Sequence, residues 1–184
     1  MKNNIIKKIE EIIGKKNVLL SIQDKDKYLT EWRNRYPGKA RAVLRPKSTK
    51  EVSLLLKLFH QKNISVTPQG GNTGLVGGQI AYSSKDFIIS LERMNKLINF
   101  NKIDETIIVQ AGMLLTQIHN ICDENDMFFP LSLASEGSCT IGGNLATNAG
   151  GVGVLYYGNT RDLTLGLEVV LSDGSIINLL KTLK

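Results

Sequence analysis

Two glycine-rich segments constrain this chain more than any other feature of its sequence. The first glycine loop is Gly70–Gly78, the second glycine segment is Pro130–Gly158, and each follows a short apolar stretch. Glycine is costly in backbone entropy, so such segments occur where the chain needs a positive φ or where something packs against bare backbone. Consecutive N–H groups without Cβ atoms form a concave array that holds an anion. Two such segments favour phosphate binding over simple surface turns.

No cationic side chain lies in either segment to help with an anion. Lys and Arg are absent from Gln69 to Ser84 and from Ile103 to Thr160. The Gly-x-Gly-x-x-Gly and Gly-x-x-x-x-Gly-Lys-[Ser/Thr] phosphate motifs are also absent. We therefore expect backbone amides to make most of the contacts, together with four polar side chains, namely Asn72, Thr73, Asn144 and Thr147.

Hydrophobic spacing predicts strands and helices on both sides of the first glycine loop. Residues 3–13 are predicted to form an amphipathic helix that ends at Gly14, and Ser48 is predicted to cap a helix that reaches Lys62. Thr116 is predicted to cap a further helix, 117–124. The predicted strands are 42–44, 64–67 (ended by Pro68), 86–91, 97–100, 106–111, 127–129 and a hairpin of 163–172 with 175–179.

Charge and cysteine content exclude several classes of protein. The formal charge is +6, but 14 of the 23 basic residues lie in the first 50 and mix with Glu, which is typical of a solvated helix face and not of a nucleic-acid surface. No stretch approaches the roughly 18 apolar residues of a membrane span, and Met1–Lys16 does not resemble a signal peptide. Cys122 and Cys139 have no metal-binding spacing. We expect a cytoplasmic protein with free thiols, no metal and no transmembrane segment.

The residues of the two glycine segments resemble those of a known family. The stretches 68–78 (PQGGNTGLVGG) and 130–151 (PLSLASEGSCTIGGNLATNAGG) are similar to the FAD-binding domain of the vanillyl-alcohol-oxidase/PCMH superfamily. Within it they resemble the branch of D-2-hydroxyglutarate dehydrogenase, D-lactate dehydrogenase and the glycolate oxidase flavoprotein subunit. The resemblance runs from about Asp24 to the end and includes Glu31-Trp32, Leu44-Arg45-Pro46, Arg93-Met94-Asn95 and 166–171 (GLEVVL).

This resemblance implies a two-lobed α+β fold. Residues 1–184 would form one FAD-binding domain, with a small α/β lobe of about residues 1–68, a larger mixed-sheet lobe of about residues 69–184, and the cofactor between them. The family continues with a further FAD-contact segment and a substrate domain that carries the catalytic histidine. We therefore expect this chain to be an incomplete FAD domain that lacks the substrate domain and contains no catalytic residue.

The resemblance also assigns residues to the cofactor. The diphosphate would lie at Pro68, Gln69, Gly70, Gly71, Asn72, Thr73, Gly74, Gly77 and Gly78. The ribityl chain and flavin ring would lie at Pro130, Leu131, Ser138, Gly142, Gly143, Asn144, Thr147 and Asn148, and the adenine end near Val169. Of these, Gly71 and Gly143 are expected to pack their bare backbone directly against the cofactor. Residues 69–79 contain no His or Cys, so FAD is expected to be bound non-covalently.

The function implied by the resemblance is oxidation of a D-2-hydroxy acid to the 2-oxo acid. Lactate, glycolate and 2-hydroxyglutarate are the candidate substrates, and the sequence does not identify the electron acceptor. Two alternatives remain: a flavin-binding module without independent catalysis, and a flavoenzyme like UDP-N-acetylenolpyruvylglucosamine reductase. The reductase alternative is less favoured because the second glycine segment matches the hydroxy-acid branch better. We expect the chain alone to be inactive on hydroxy acids.

Overall fold

The computed structural model describes residues 2–180, and it confirms an α+β chain. A short 3-10 helix at Lys15–Asn17 follows the first helix. The other elements in chain order are α1 (Lys2–Ile13), β1 (Val18–Leu19), α2 (Ile22–Leu29), β2 (Ala42–Leu44), α3 (Thr49–Lys62), β3 (Val66–Gln69), β4 (Phe87–Ser90), β5 (Leu97–Asn101), β6 (Thr106–Val109), α4 (Leu115–Asp123), α5 (Ile141–Thr147), α6 (Val154–Tyr157), β7 (Glu168–Val170) and β8 (Ile176–Asn178).

Four strands form the first sheet, in the order β1-β2-β4-β3. Strand β4 is parallel to both β2 and β3, and β1 is antiparallel to β2. Alternate residues of β2 and β4 face opposite cores. On one face, the sheet packs against α1 and α3, where the Phe59 and Phe87 rings stack with centroids 4.9 Å apart. On the other face, Val43 and Ile88 pack against Tyr28 of α2. Both faces of the sheet are covered, as expected for parallel strands.

The predicted end of the third strand at Pro68 is wrong, because β3 continues through Pro68 to Gln69. Proline lacks an N–H group, but β3 is an edge strand that pairs with β4 alone, so no ladder is broken. Strand β4 follows the first glycine loop and nevertheless lies between β2 and β3. The first sheet therefore takes strands from both sides of residue 68, and the lobe boundary placed there stays a prediction.

Most predicted helix ends are confirmed by their capping geometry. Gly14 has φ 80° after α1. The Ser48 hydroxyl accepts a hydrogen bond from the Glu51 N–H at the start of α3. The prediction that Thr116 caps α4 is wrong, because the helix begins at Leu115 and Gln117 supplies the cap. Gln117 Oε1 accepts the Leu114 N–H at 3.0 Å, which is the bond that the third residue of a helix makes in a capping box.

Two antiparallel hairpins, β5–β6 and β7–β8, lie where the sequence predicts them, although β5 is one residue longer and the other three strands are shorter. Strand β7 begins at Glu168 instead of 163. Gly174 has φ 88° in the predicted turn of the second hairpin. This hairpin rests on α3, where Ser53 Oγ donates to the Gly174 carbonyl oxygen at 2.5 Å.

The strand predicted at 127–129 is not formed. No strand among the described residues pairs with this segment. Met127 and Phe129 instead pack on the core cluster of Met113, Ile118 and Cys122, and Phe128 is exposed. A short continuous apolar run is equally compatible with a loop that covers a helix, so the run alone does not distinguish the two structures.

The second glycine segment is not a continuous loop, because it contains α5 and α6. Thr140 caps α5 through a hydrogen bond from the Gly143 N–H to its hydroxyl. Gly142 lies in the first turn of this helix, where a Cβ would approach Ala111 Cβ to 2.7 Å. Its lack of a side chain lets α5 pack against the chain before α4. Within residues 2–180, no helix is long and apolar enough to cross a membrane.

Candidate functional site

The first glycine loop and the start of the second glycine segment pack together beside a cavity of about 310 Å³. Five residues assigned from the resemblance line this cavity together: Gln69, Gly70, Gly71, Asn72 and Ser138. Eight other lining residues were not predicted from the sequence, namely Lys27, Tyr28, Glu92, Asn95, Gly112, Leu114, Gln117 and Thr140. The structure therefore brings the two glycine segments to one site and adds α2 and the chain after β4 to its wall.

Where the two segments meet, neighbouring protein atoms leave room only for glycine. A Cβ on Gly71 would collide with the carbonyl oxygen of Ser138 and lie 3.0 Å from Cys139 Cα. A Cβ on Gly70 would collide with Thr140 Oγ1. Both positions have protein atoms where a side chain would begin. Gly71, which was expected to face the cofactor, is therefore needed first for packing of the two segments against each other.

The backbone amides of the first glycine loop have no partner within the described part of the chain. None of the N–H groups from Gly70 to Gly78 donates a hydrogen bond to another group in residues 2–180. After the loop, the Ile80 N–H donates to the Gly77 carbonyl oxygen at 3.1 Å. Leu75, Val76 and Gly78 are exposed, but residues 70–74 are partly buried, where unpaired N–H groups are uncommon because they lose water without gaining a partner. A row of them is the donor array that an anion needs.

Three of the four polar side chains expected to assist are engaged within the protein. Asn72 Nδ2 donates to the carbonyl oxygens of Lys27 at 3.1 Å and Thr30 at 2.9 Å. Asn144 Nδ2 lies 3.4 Å from Cys139 Sγ, and Thr147 Oγ1 donates to the Gly143 carbonyl oxygen at 3.0 Å. These side chains shape the segments, which leaves the backbone amides as the main donors at the site.

Two buried acceptors and two open glycines fit a ligand larger than a phosphate. Gln69 Oε1 and Asn72 Oδ1 are buried with no hydrogen-bond partner in the described chain, and a hydroxyl group would satisfy each. A Cβ on Gly78 would meet no protein atom within 4 Å, and a Cβ on Gly143 would meet only Thr140 Oγ1, at 3.2 Å. FAD combines a diphosphate, which accepts from amides, with ribityl and ribose hydroxyls, which donate. The residues present therefore fit FAD.

Other assigned residues lie apart from the cavity wall. The Leu131 side chain is fully buried against Leu115 and Cys139, so only its backbone can face a ligand. Val169 lies in the hairpin that rests on α3 and does not line the cavity. His119 Nε2 lies 2.8 Å from the Leu131 carbonyl oxygen, which is a structural contact. No group of three metal-ligating side chains occurs among residues 2–180. The individual cofactor contacts stay predictions.

A charged cluster stands at the edge of the cavity around Glu92. Its carboxylate accepts the Tyr28 hydroxyl at 2.8 and 2.9 Å and the Arg45 guanidinium at 3.1 Å, and Lys27 Nζ lies 3.5 Å away. Burial disfavours the charged carboxylate, but the bonds from Tyr28 and Arg45 outweigh this and hold the pKa of Glu92 below its ordinary value. No spacing in the sequence indicates this cluster, because its members come from separate elements.

Acid is expected to weaken the fold through Glu92. A carboxylate whose pKa is lowered by folding stabilises the native state above its unfolded pKa, and this contribution is lost as the pH falls through the folded pKa. The midpoint of urea unfolding, measured from about pH 6 to about pH 3, should therefore fall less steeply in Glu92→Gln than in wild type. Parallel curves for the two proteins would show that Glu92 does not contribute.

Comparison with known proteins places the chain among FAD-binding domains. Residues 40–180 match the family FAD_binding_4, described as an FAD binding domain. The mitochondrial D-2-hydroxyglutarate dehydrogenase of Danio rerio is 44% identical over 154 residues, 84% of this chain and 29% of that protein. D-2-hydroxyglutarate dehydrogenase of Xanthomonas citri pv. viticola is 42% identical over 156 residues, 85% of this chain and 33% of that protein. The chain thus spans about a third of the length of these relatives.

Solved structures agree on the fold. A structure of alkyldihydroxyacetonephosphate synthase superposes with a TM-score of 0.87 and 19% identity, over 96% of this chain and 38% of that chain. A structure of p-cresol methylhydroxylase superposes with a TM-score of 0.69 and 22% identity, over 96% of this chain and 35% of that chain. At this identity the likeness shows the fold alone. The family match and the shared fold together confirm the resemblance, and the chain belongs to the FAD_binding_4 family of FAD-binding domains.

Proposed function

We propose that this chain is the FAD-holding part of a dehydrogenase that oxidises a D-2-hydroxy acid to the 2-oxo acid. The observation that supports FAD binding is the row of backbone amides from Gly70 to Gly78 that have no partner in the described chain. The D-2-hydroxyglutarate dehydrogenases among its relatives support the choice of substrate.

In this proposal each group of the site has a distinct task. The amides of the first glycine loop hold the diphosphate, and Gln69 Oε1 and Asn72 Oδ1 accept hydroxyl groups. The bare backbone of Gly78 and Gly143 admits the cofactor closely. Bound flavin supplies an acceptor for the hydride of the hydroxy acid. The proposal includes the remaining assigned contacts, among them Thr73, Gly74, Gly77, Pro130, Asn148 and Val169.

The proposal and the alternative of a flavin-binding module without catalysis both expect the 184-residue chain alone to be inactive, so a turnover assay on this chain tests whether it holds a catalytic base of its own. Glu92 is the one carboxylate on the described cavity wall, and its bonds to Tyr28 and Arg45 keep it from acting as a free base. We therefore expect no turnover above that of free FAD when the 184-residue chain meets D-2-hydroxyglutarate, D-lactate or glycolate with an artificial acceptor. Steady turnover would locate a base within this chain. Consumption of NADPH with UDP-N-acetylenolpyruvylglucosamine would favour the reductase alternative.

The flavin is expected to be non-covalent. The first glycine loop has no His or Cys, and the buried Cys139 thiol contacts Asn144. Acid precipitation of protein loaded with FAD should release all yellow colour to the supernatant. Colour that stays in the pellet after washing would contradict a non-covalent cofactor.

The compartment and partners belong to the same proposal. We place the protein in the cytoplasm, with free Cys122 and Cys139 thiols, a small hydroxy acid as substrate, an electron acceptor still to be identified and no nucleic-acid partner. Cell fractionation tests the compartment, because several relatives carry mitochondrial names.

A further inference from the structure

The first glycine loop is attached to the C-terminal turn of α2 by two side chains. Gln69 Nε2 donates to the Tyr28 carbonyl oxygen at 2.9 Å, in a buried position. Asn72 Nδ2 donates to the carbonyl oxygens of Lys27 and Thr30. The last carbonyls of a helix have no partner inside it, so these amide groups cap α2 from outside. Loop and helix end therefore hold each other.

The C-terminal turn of α2 is itself fixed beside the first sheet. The buried Tyr28 hydroxyl bonds both oxygens of Glu92, which follows β4, and Glu92 pairs with Arg45, which follows β2. Lys25 Nζ also donates to the Ala40 carbonyl oxygen at 2.9 Å. Bonds to Glu92, after β4, and to Ala40, before β2, thus set the position of α2, and with it the position of Gln69 and Asn72.

External anchors matter for this loop because its own amides form no hydrogen bonds in the described chain. An array of donors binds an anion well only when it is held in place beforehand, since ordering it on binding costs entropy. The Gln69 and Asn72 side chains tie the start of the loop to α2, whereas its later part is held locally, by Gln79 Nε2 donating to the Gly74 carbonyl oxygen at 2.8 Å and by the Ile80 N–H donating to that of Gly77. Helix α2 also lies before residue 40, where the family match begins, so it is not part of the matched region.

We propose that Tyr28 and Glu92 are positioning residues that hold the α2 turn, and through Gln69 and Asn72 the first glycine loop, in the conformation that receives the cofactor diphosphate. Neither side chain needs to contact the cofactor for this role. The inference rests on the proposed FAD-binding function and adds α2 to the site.

The test uses Tyr28→Phe, which removes the hydroxyl and keeps the ring, and Glu92→Gln, which keeps the shape and removes the charge. In the ligand-free 184-residue chain, ¹⁵N order parameters of Gly70–Gly78 should fall from about 0.85 to below about 0.6. The dissociation constant for FAD should rise about tenfold in each variant, the effect of losing a hydrogen bond to a charged group. Tyr156→Phe is the matched control, because Tyr156 is 85% exposed, and it should change neither quantity.

A purely structural role for the two residues gives a different pattern. It predicts a lower melting temperature with unchanged order parameters and unchanged FAD affinity in the folded protein, and that result would overturn the inference. A change in only one of the two quantities would overturn it as well, because the loop and the affinity must change together. If wild type binds no FAD, the proposed function fails, and the order parameters of the loop alone then decide the inference. Glu92→Gln keeps the test available if Tyr28→Phe does not fold.

Discussion

Gly71→Val is expected to abolish FAD binding and to lower the free energy of unfolding by about 3 kcal/mol. The new Cβ would occupy the position of the Ser138 carbonyl oxygen, and this neighbour is backbone, which cannot move aside as a flexible side chain can. The two glycine segments would be forced apart, and the cavity between them would be lost. Urea unfolding and FAD titration measure the two effects on the same protein.

Gly137→Val provides the matched control for stability. A Cβ at Gly137 meets no protein atom within 4 Å, so the same substitution should change the free energy of unfolding by less than about 0.5 kcal/mol. Equal stability of the Gly71 and Gly137 variants would show that the segments are not packed backbone to backbone as described.

Gly143→Ala is expected to separate binding from folding. Within α5, alanine is a better helix former than glycine, and its Cβ would meet only Thr140 Oγ1, so stability should stay within about 1 kcal/mol of wild type. If the cofactor packs on the bare backbone here, the added methyl group should weaken FAD binding by about tenfold or more. Equilibrium dialysis with FAD and urea unfolding together give the contrast.

Gly14→Ala should show the opposite behaviour. Gly14 has φ 80° and ψ 140°, a conformation that costs an L-residue about 1 to 3 kcal/mol, and it ends α1 away from the cavity. This variant should lose about that much stability and bind FAD like wild type. If Gly143→Ala also binds FAD like wild type, the glycine serves the geometry of α5 only, and the cofactor does not touch it.

The sequence indicated the donor array but could not distinguish the tasks of its glycines. Both Gly71 and Gly143 were expected to face the cofactor, because the family resemblance assigns the two glycine-rich segments to FAD. In the structure Gly71 faces Ser138, more than sixty residues away in the chain, whereas Gly143 is open. The difference depends on a contact between distant segments, which local spacing does not contain.

Regular elements were predicted well where one pattern had one physical meaning. The apolar spacing of α1 and the Ser48 cap of α3 each had a single explanation, and both are confirmed. The segment at 127–129 and the helix α5 were missed for opposite reasons. An apolar run indicated a strand without a partner to pair with, and a glycine-rich stretch concealed a helix that Thr140 initiates. The Tyr28–Glu92 contact spans 64 residues and has no sequence signal at all.

The most direct test of the account is the response of the backbone amides of the first glycine loop to FAD. In ¹⁵N–¹H spectra of the 184-residue chain titrated with FAD, the largest shifts should occur at Gly70–Gly78, and ADP, which shares the diphosphate, should shift the same amides. Riboflavin, which lacks a phosphate, should leave them in place. Saturable binding of FAD with no change at these amides would contradict the central claim that they hold the diphosphate.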